Sequence, residues 1–300
     1  MLRRLPAAPG AVGMSPELRG ILMTLLAMGL FGAMDGISKV LVSHYPTPLV
    51  LWLRHLAAVL VAFLVLAPRR PLRLLTSSRA PWLQLGRSVL LVVEMGVVLT
   101  AFSMMPLADA HALIAVTPLL VTALCVPLLG ERVGWRRWAA VAAGFLGVLV
   151  ILRPGSGVLQ PGAVLVLVSV AMYALYNILT RLVARSDPPE TGFLLQTVIG
   201  ASLLCVVGPF FWVPVAPQHW PLVVAQGTLG ALGHLCLVKA LALAPAVVVQ
   251  PFTYTLLLYA VVVGYVVFGD VPDLPTIAGG LIVCGAGVYA ALRERGRAVR

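Results

Sequence analysis

Apolar residues run along this chain in ten stretches, each of about 18 to 22 residues, and almost every arginine falls in the short gaps between them. The stretches are Gly20 to Lys39, Pro48 to Ala67, Leu83 to Met104, Ala110 to Leu129 and Gly134 to Leu152. They continue with Gly162 to Thr180, Thr191 to Val213, Pro221 to Leu241, Val247 to Phe268 and Leu274 to Leu292. A helix rising about 1.5 Å per residue crosses a hydrocarbon core in about twenty residues and satisfies its own backbone donors and acceptors. The pattern therefore predicts an all-α integral membrane protein of ten transmembrane helices.

Composition agrees. With 61% hydrophobic and 10% charged residues, the chain has too little polar surface to coat a water-soluble domain. A net charge of +11 in a soluble protein would point to nucleic acid, but here the basic residues flank membrane spans. With the N-terminus inside, one side collects sixteen arginines: Arg3, Arg4, Arg19, Arg69, Arg70, Arg73, Arg79, Arg132, Arg136, Arg137, Arg181, Arg185, Arg293, Arg295, Arg297 and Arg300. The other side has only Arg153. Short basic loops resist translocation, so both termini are expected in the cytoplasm. Residues 1–19 read as a basic cytoplasmic tail lacking the apolar core of a signal peptide, and 293–300 as a second basic tail. Lys39, Arg54, Arg87 and Lys239 fall within spans or at their ends. Cys125, Cys205, Cys236 and Cys284 lie in apolar spans without metal-ligand spacing and read as small hydrophobes.

The chain repeats itself. An offset of 139 superposes Pro106 on Pro245, His111 on Gln250, and Gly130-Glu131 on Gly269-Asp270. Nearer the start of each half, an offset of 142 superposes Phe31 on Tyr173, Asp35 on Asn177, Lys39 on Arg181 and Arg54 on Gln196. Five spans per half is an odd number, so residues 20–152 and 162–292 form two inverted five-helix repeats joined by an extracytoplasmic linker, 153–161. Inverted repeats suit alternating access around a central site.

These residues resemble the drug/metabolite transporter superfamily, in its ten-span EamA-type branch. Phe31-Gly32 with Ser38-Lys39, Arg54, the Gly130-Glu131-Arg132 turn, Gly144 with Gly147, Gly269-Asp270 and Gly279-Gly280 carry the resemblance. The second half departs from the pattern with Arg181 in place of Lys and Gln196 in place of Arg. The resemblance implies a secondary transporter of the bacterial inner membrane, without a cofactor, for a small metabolite. Within the branch the chain looks similar to bacterial aromatic amino-acid exporters. Nucleosides, vitamins, cationic drugs, and import rather than export stay open, as do a monomer or a homodimer.

Polar side chains at membrane depth are costly, so each is a candidate for substrate binding or coupling. Asp35 and Lys39, one turn apart, either neutralise each other or border a cavity. Glu94, amid Val92, Val93, Met95 and Gly96, either accepts coupling protons or a substrate ammonium group, or packs two helices as a hydrogen-bonded acid. His111 near an outer helix end is a solvated histidine or a ligand contact. Tyr173 and Tyr254 stack on a planar solute or fill core volume. Asn177, His234 and Gln250 complete the set. Lys239 is expected to snorkel. Pro118, Pro127 and Pro251 predict kinks in the fourth and ninth helices. No H-E-x-x-H, G-x-S-x-G or G-x-x-x-x-G-K-[ST] motif is present, so neither an enzyme nor an ATP-driven pump is expected, and a channel would not require inverted halves.

Overall fold

The computed structural model describes residues 14–66, 71–130, 134–153, 160–244 and 246–298, and among these there is no strand. The helices are α1 (Pro16–Val42), α2 (Thr47–Leu66), α3 (Pro71–Leu75), α4 (Pro81–Phe102), α5 (Leu107–Ile114), α6 (Thr117–Leu129) and α7 (Trp135–Leu152). The second half supplies α8 (Pro161–Val183), α9 (Pro189–Val207), α10 (Trp220–Leu243), α11 (Ala246–Val249), α12 (Thr255–Val263) and α13 (Leu274–Ala298). Eight helical segments are long and apolar enough to cross a membrane. The fifth and tenth predicted spans form shorter apolar helices, Trp138–Leu152 and Leu274–Ala290.

The fourth and ninth spans are broken, and at equivalent places. The fourth is interrupted at Ala115 and Val116, directly before the Thr117-Pro118 pair that opens α6. The ninth passes from α11 through a 3-10 stretch, Gln250–Tyr254, that carries Pro251, and on to α12. Proline lacks the N–H that would continue the ladder, so the break follows from sequence. Thr117 and Thr255 each turn the hydroxyl back onto the carbonyl three residues earlier, at 2.6 Å. Both spans then end on a left-handed glycine, Gly130 (φ 68°) and Gly269 (φ 70°), where a side chain would be strained.

Helix pairing repeats the same two-fold relationship. α1 packs on α10 and α4 on α8, which are the first span on the eighth and the third on the sixth. α2 meets α10 while α9 meets α4. α2 pairs with α9, α5 with α12, and α7 with α13. Each pair exchanges with its partner, or maps onto itself, when the halves are swapped. The fold is thus a ten-span α bundle of two inverted repeats.

Small residues allow these approaches, because in lipid close packing replaces the hydrophobic effect between helices. A Cβ on Gly147 would lie 2.8 Å from the Gly279 carbonyl, and one on Gly279 2.6 Å from the Gly147 carbonyl. Gly32 and Gly36 seat α1 against Tyr259 and Val263 of α12. The surface is apolar, with Leu60, Leu64, Val206, Leu258 and Leu281 largely exposed, whereas Asp35, Arg54, His55, Gln84, Arg87, Glu94, His111 and Gln226 are buried. A soluble domain reverses that distribution; a bilayer imposes it.

Candidate solute site in the bundle

Midway along the bundle a cavity of about 50 Å³ lies among α2, α4, α9 and α10, two pairs of repeat-equivalent helices. Arg54, His55 and Ala58 come from α2, Met95 from α4, Phe193, Gln196 and Thr197 from α9, and Gly227, Gly230, Ala231 and His234 from α10. Arg54 and Gln196, superposed by the repeat, both line it. This is room for one or two waters at about 30 Å³ each, so admitting a metabolite requires these helices to part.

Glycines allow close approach around the site: a Cβ on Gly230 would lie 2.9 Å from Met34 Sδ, and one on Gly200 3.0 Å from the His55 ring. His55 Nδ1 lies 2.9 Å from the Leu51 carbonyl and His234 Nδ1 2.9 Å from the Gly230 carbonyl. A carbonyl only accepts, so each Nδ1 carries the proton, and the neutral form of each ring leaves Nε2 as an acceptor. The Phe31 ring meets His234 edge-on, with centroids 4.9 Å apart.

Neither mid-membrane acid lines this cavity, nor does His111. Glu94 accepts a 2.8 Å hydrogen bond from Ser169 of α8, and Asp35 Oδ2 lies 3.2 Å from His111 Nε2 of α5. That last contact has ion-pair distance but not hydrogen-bond alignment. Arg54 lies within the field of both acids. The cavity itself is thus walled by one guanidinium and two imidazoles, with the two carboxylates outside its lining.

Lys39 does not neutralise Asp35. Its Nζ donates to Asp270 Oδ2 at 3.0 Å and to the Met105 carbonyl at 3.1 Å, and it lies 4.6 Å from the Phe268 ring centroid. The turn after the ninth span thus takes the cation that spacing along α1 offered to Asp35. His111 is not solvated either: it is 4% exposed, wedged between Asp35 and the Phe102 ring, because the helix break turns α5 inward.

The remaining candidates divide. Tyr173 is 38% exposed and stacks on Tyr176 with centroids 5.6 Å apart, while Asn177 donates to the Tyr173 carbonyl within α8; neither lines the cavity. Tyr176 does not line it either, but donates to Gln196 Oε1 in its wall. Tyr254 is packed against Gly287, and its hydroxyl finds no hydrogen-bond partner among the described residues. The Gln250 side chain lies outside the described residues. Lys239 is exposed on α10.

Sequence reasoning left Arg54 among unassigned basic residues and did not foresee the role of Arg87. Arg87 donates to Gln84 Oε1 (2.9 Å), Thr180 Oγ1 (3.2 Å), Gln196 Oε1 (3.2 Å) and the Gly192 carbonyl (2.5 Å), fastening α4 to α8 and α9. Gln84 continues to Asp187, which also accepts from Ser78 Oγ (2.5 Å) and the Arg79 N–H (2.8 Å). Burial pushes the Asp187 carboxyl up, but these donors outweigh it and hold the group below its ordinary value. α1 and α4 run parallel, with Lys39 near the end of one and Arg87 near the start of the other, so the two polar clusters fasten opposite ends of the bundle.

The chain is similar to known transporters along most of its length. It is 23% identical over 280 residues to an S-adenosylmethionine uptake transporter of Rickettsia prowazekii, covering 93% of this chain and 94% of that one. It is 31% identical over 221 residues to a riboflavin transporter of Rhizobium johnstonii, 72% of each, and 27% identical over 283 residues to a pseudopaline exporter of Pseudomonas aeruginosa, 92% and 97%. A crystal structure 20% identical in sequence superposes with a TM-score of 0.65 over 94% of this chain and 100% of the other, which supports the fold. The model of the EamA-like transporter family matches residues 18–153 and again 160–292. The chain is therefore a member of the EamA-like transporter family, within the drug/metabolite transporter superfamily.

Proposed function

We propose that this protein is a secondary transporter that carries a small amphipathic metabolite through the central cavity by alternating access, exporting aromatic or other amino acids across the bacterial inner membrane. Residues 20–152 and 162–292 act as the two rocking units, 153–161 as their outer linker, and both termini lie in the cytoplasm, as the distribution of arginines favours. The observation that carries the reading is the position of the cavity, walled by α2 with α9 and α4 with α10. Rocking one repeat against the other opens such a site on one side as it closes on the other. An amino acid is a zwitterion; the cavity offers the Arg54 guanidinium beside Met95 and Phe193, and Asp35 and Glu94 lie outside its lining but act on that guanidinium. Glu94 serves as the proton-accepting group for coupling.

The relatives supply a second reading of the cargo. Their names include uptake of S-adenosylmethionine, transport of riboflavin and export of pseudopaline, so another metabolite, in either direction, fits the family as well as an aromatic amino acid does. Counterflow in proteoliposomes, with aromatic amino acids, nucleosides, riboflavin and cationic drugs as competitors and with or without a pH gradient, separates these readings. Saturable exchange inhibited by aromatic amino acids supports the proposal. Exchange inhibited only by other solutes replaces the cargo, and non-saturating flux replaces the carrier by a channel.

A further inference from the structure

We infer that the cavity selects solutes bearing a single carboxylate and that the Arg54 guanidinium is the group that holds it. The inference rests on the transport reading above and names the chemistry of that same site.

Arg54 is 7% exposed and lines the cavity. Among the described residues its guanidinium makes no hydrogen bond and no ion pair. The contrast with its neighbours is sharp. Arg87 is satisfied by side chains and a carbonyl from three helices, and Lys39 by Asp270 and the Met105 carbonyl. Of the two acids in whose field Arg54 lies, Glu94 accepts from Ser169 and Asp35 lies 3.2 Å from His111, and neither reaches ion-pair distance of the guanidinium. A guanidinium presents five N–H donors in a planar fork that matches a carboxylate, and leaving it unpaired in a buried site is costly. A solute carboxylate supplies what the fold withholds.

The opposite wall sets the number of anionic groups. Gln196 stands where the repeat would place a second cation, and its Oε1 is taken by Arg87 and Tyr176, which leaves its neutral amide N–H groups for the cavity. One cation with one neutral donor suits a monocarboxylate rather than a dicarboxylate or diphosphate. The Nε2 acceptors of His55 and His234 complement an amine or hydroxyl on the same solute.

The test uses the full chain purified in detergent and reconstituted in liposomes, with three matched probe pairs: phenylalanine, tryptophan and methionine, each against its carboxamide. A charge-assisted bidentate contact predicts carboxylates binding about tenfold or more tighter than amides in thermal-shift titrations. R54Q is expected to reduce that preference to within about twofold, and R54K to retain part of it. Amides that bind as well as carboxylates, a preference that survives in R54Q, or carboxylates that do not bind at all would each overturn the inference. If R54Q fails to fold, the carboxylate-to-amide ratio in the unmodified protein and in R54K decides alone. Labelled phenylalanine counterflow separates the two levels: saturable exchange inhibited equally by amides sinks only the role of Arg54, whereas absence of exchange for every probe sinks the amino-acid carrier reading as well.

Discussion

Lys39 Nζ sits 3.0 Å from Asp270 Oδ2, a pair that ties the first helix of one repeat to the turn closing the ninth span of the other, 231 residues away in sequence. Side-chain exposures of 15% and 27% leave it partly screened, so a coupling energy of about 1 kcal/mol is expected from a double-mutant cycle on unfolding. K39M and D270N each release one end of the bundle and should slow counterflow several-fold. The reversed pair K39D/D270K should recover part of it. Full activity in either single variant would remove the pair from the transport cycle.

Glu94 separates folding from coupling. A glutamine keeps the Oε1 that accepts from Ser169, so E94Q should leave the melting temperature within a few degrees of wild type. It cannot bind or release a proton, and proton-driven flux should fall to background while binding of solute persists. Flux of E94Q that still responds to a pH gradient would contradict this role.

Gly147 and Gly279 make the α7–α13 contact, where an added methyl on Gly147 would lie 2.8 Å from a carbonyl that cannot move aside. G147A is expected to destabilise the protein by about 1–3 kcal/mol. Gly86 is the control: a Cβ there meets nothing within 4 Å, so G86A in α4 should be neutral or stabilising by less than about 1 kcal/mol. Thermal unfolding of both variants in one detergent checks the contrast.

Asp187 predicts a pH dependence with a defined sign. Its folded carboxyl titrates below the unfolded value of about 3.9, so its stabilisation is complete above that pH and is lost as pH falls through the lower folded value. D187N should cost about 1–3 kcal/mol at neutral pH by weakening the Ser78, Arg79 and Gln84 contacts. The gap between wild type and variant should narrow below about pH 4. A gap unchanged down to about pH 2 would contradict the assignment.

The spans were legible because lipid dictates their length and apolarity, and the breaks in the fourth and ninth because Pro118 and Pro251 remove backbone donors. The inverted repeat was legible in paired landmarks such as Gly130 with Gly269, both left-handed in the structure. Partners across helices were not. Spacing along α1 offered Asp35 to Lys39, yet Asp270 and His111 took them, because such choices depend on which helix faces turn inward. Tyr173 and Tyr176 differ by three residues, and only the second reaches Gln196. Arg54 carried a usable signal, a cation well inside an apolar span and superposed by the repeat on a neutral residue, but the sequence alone did not show that it lacked a partner.

The central claim is that two five-helix units of opposite orientation share one chamber. Its most direct test is accessibility labelling in intact cells and inverted vesicles of two single-cysteine variants, at Arg153 and at Arg300, in a background with the four native cysteines replaced. The account predicts labelling of position 153 from outside and of position 300 only from inside. Labelling of both positions from the same side would contradict inverted repeats and the rocking mechanism that depends on them.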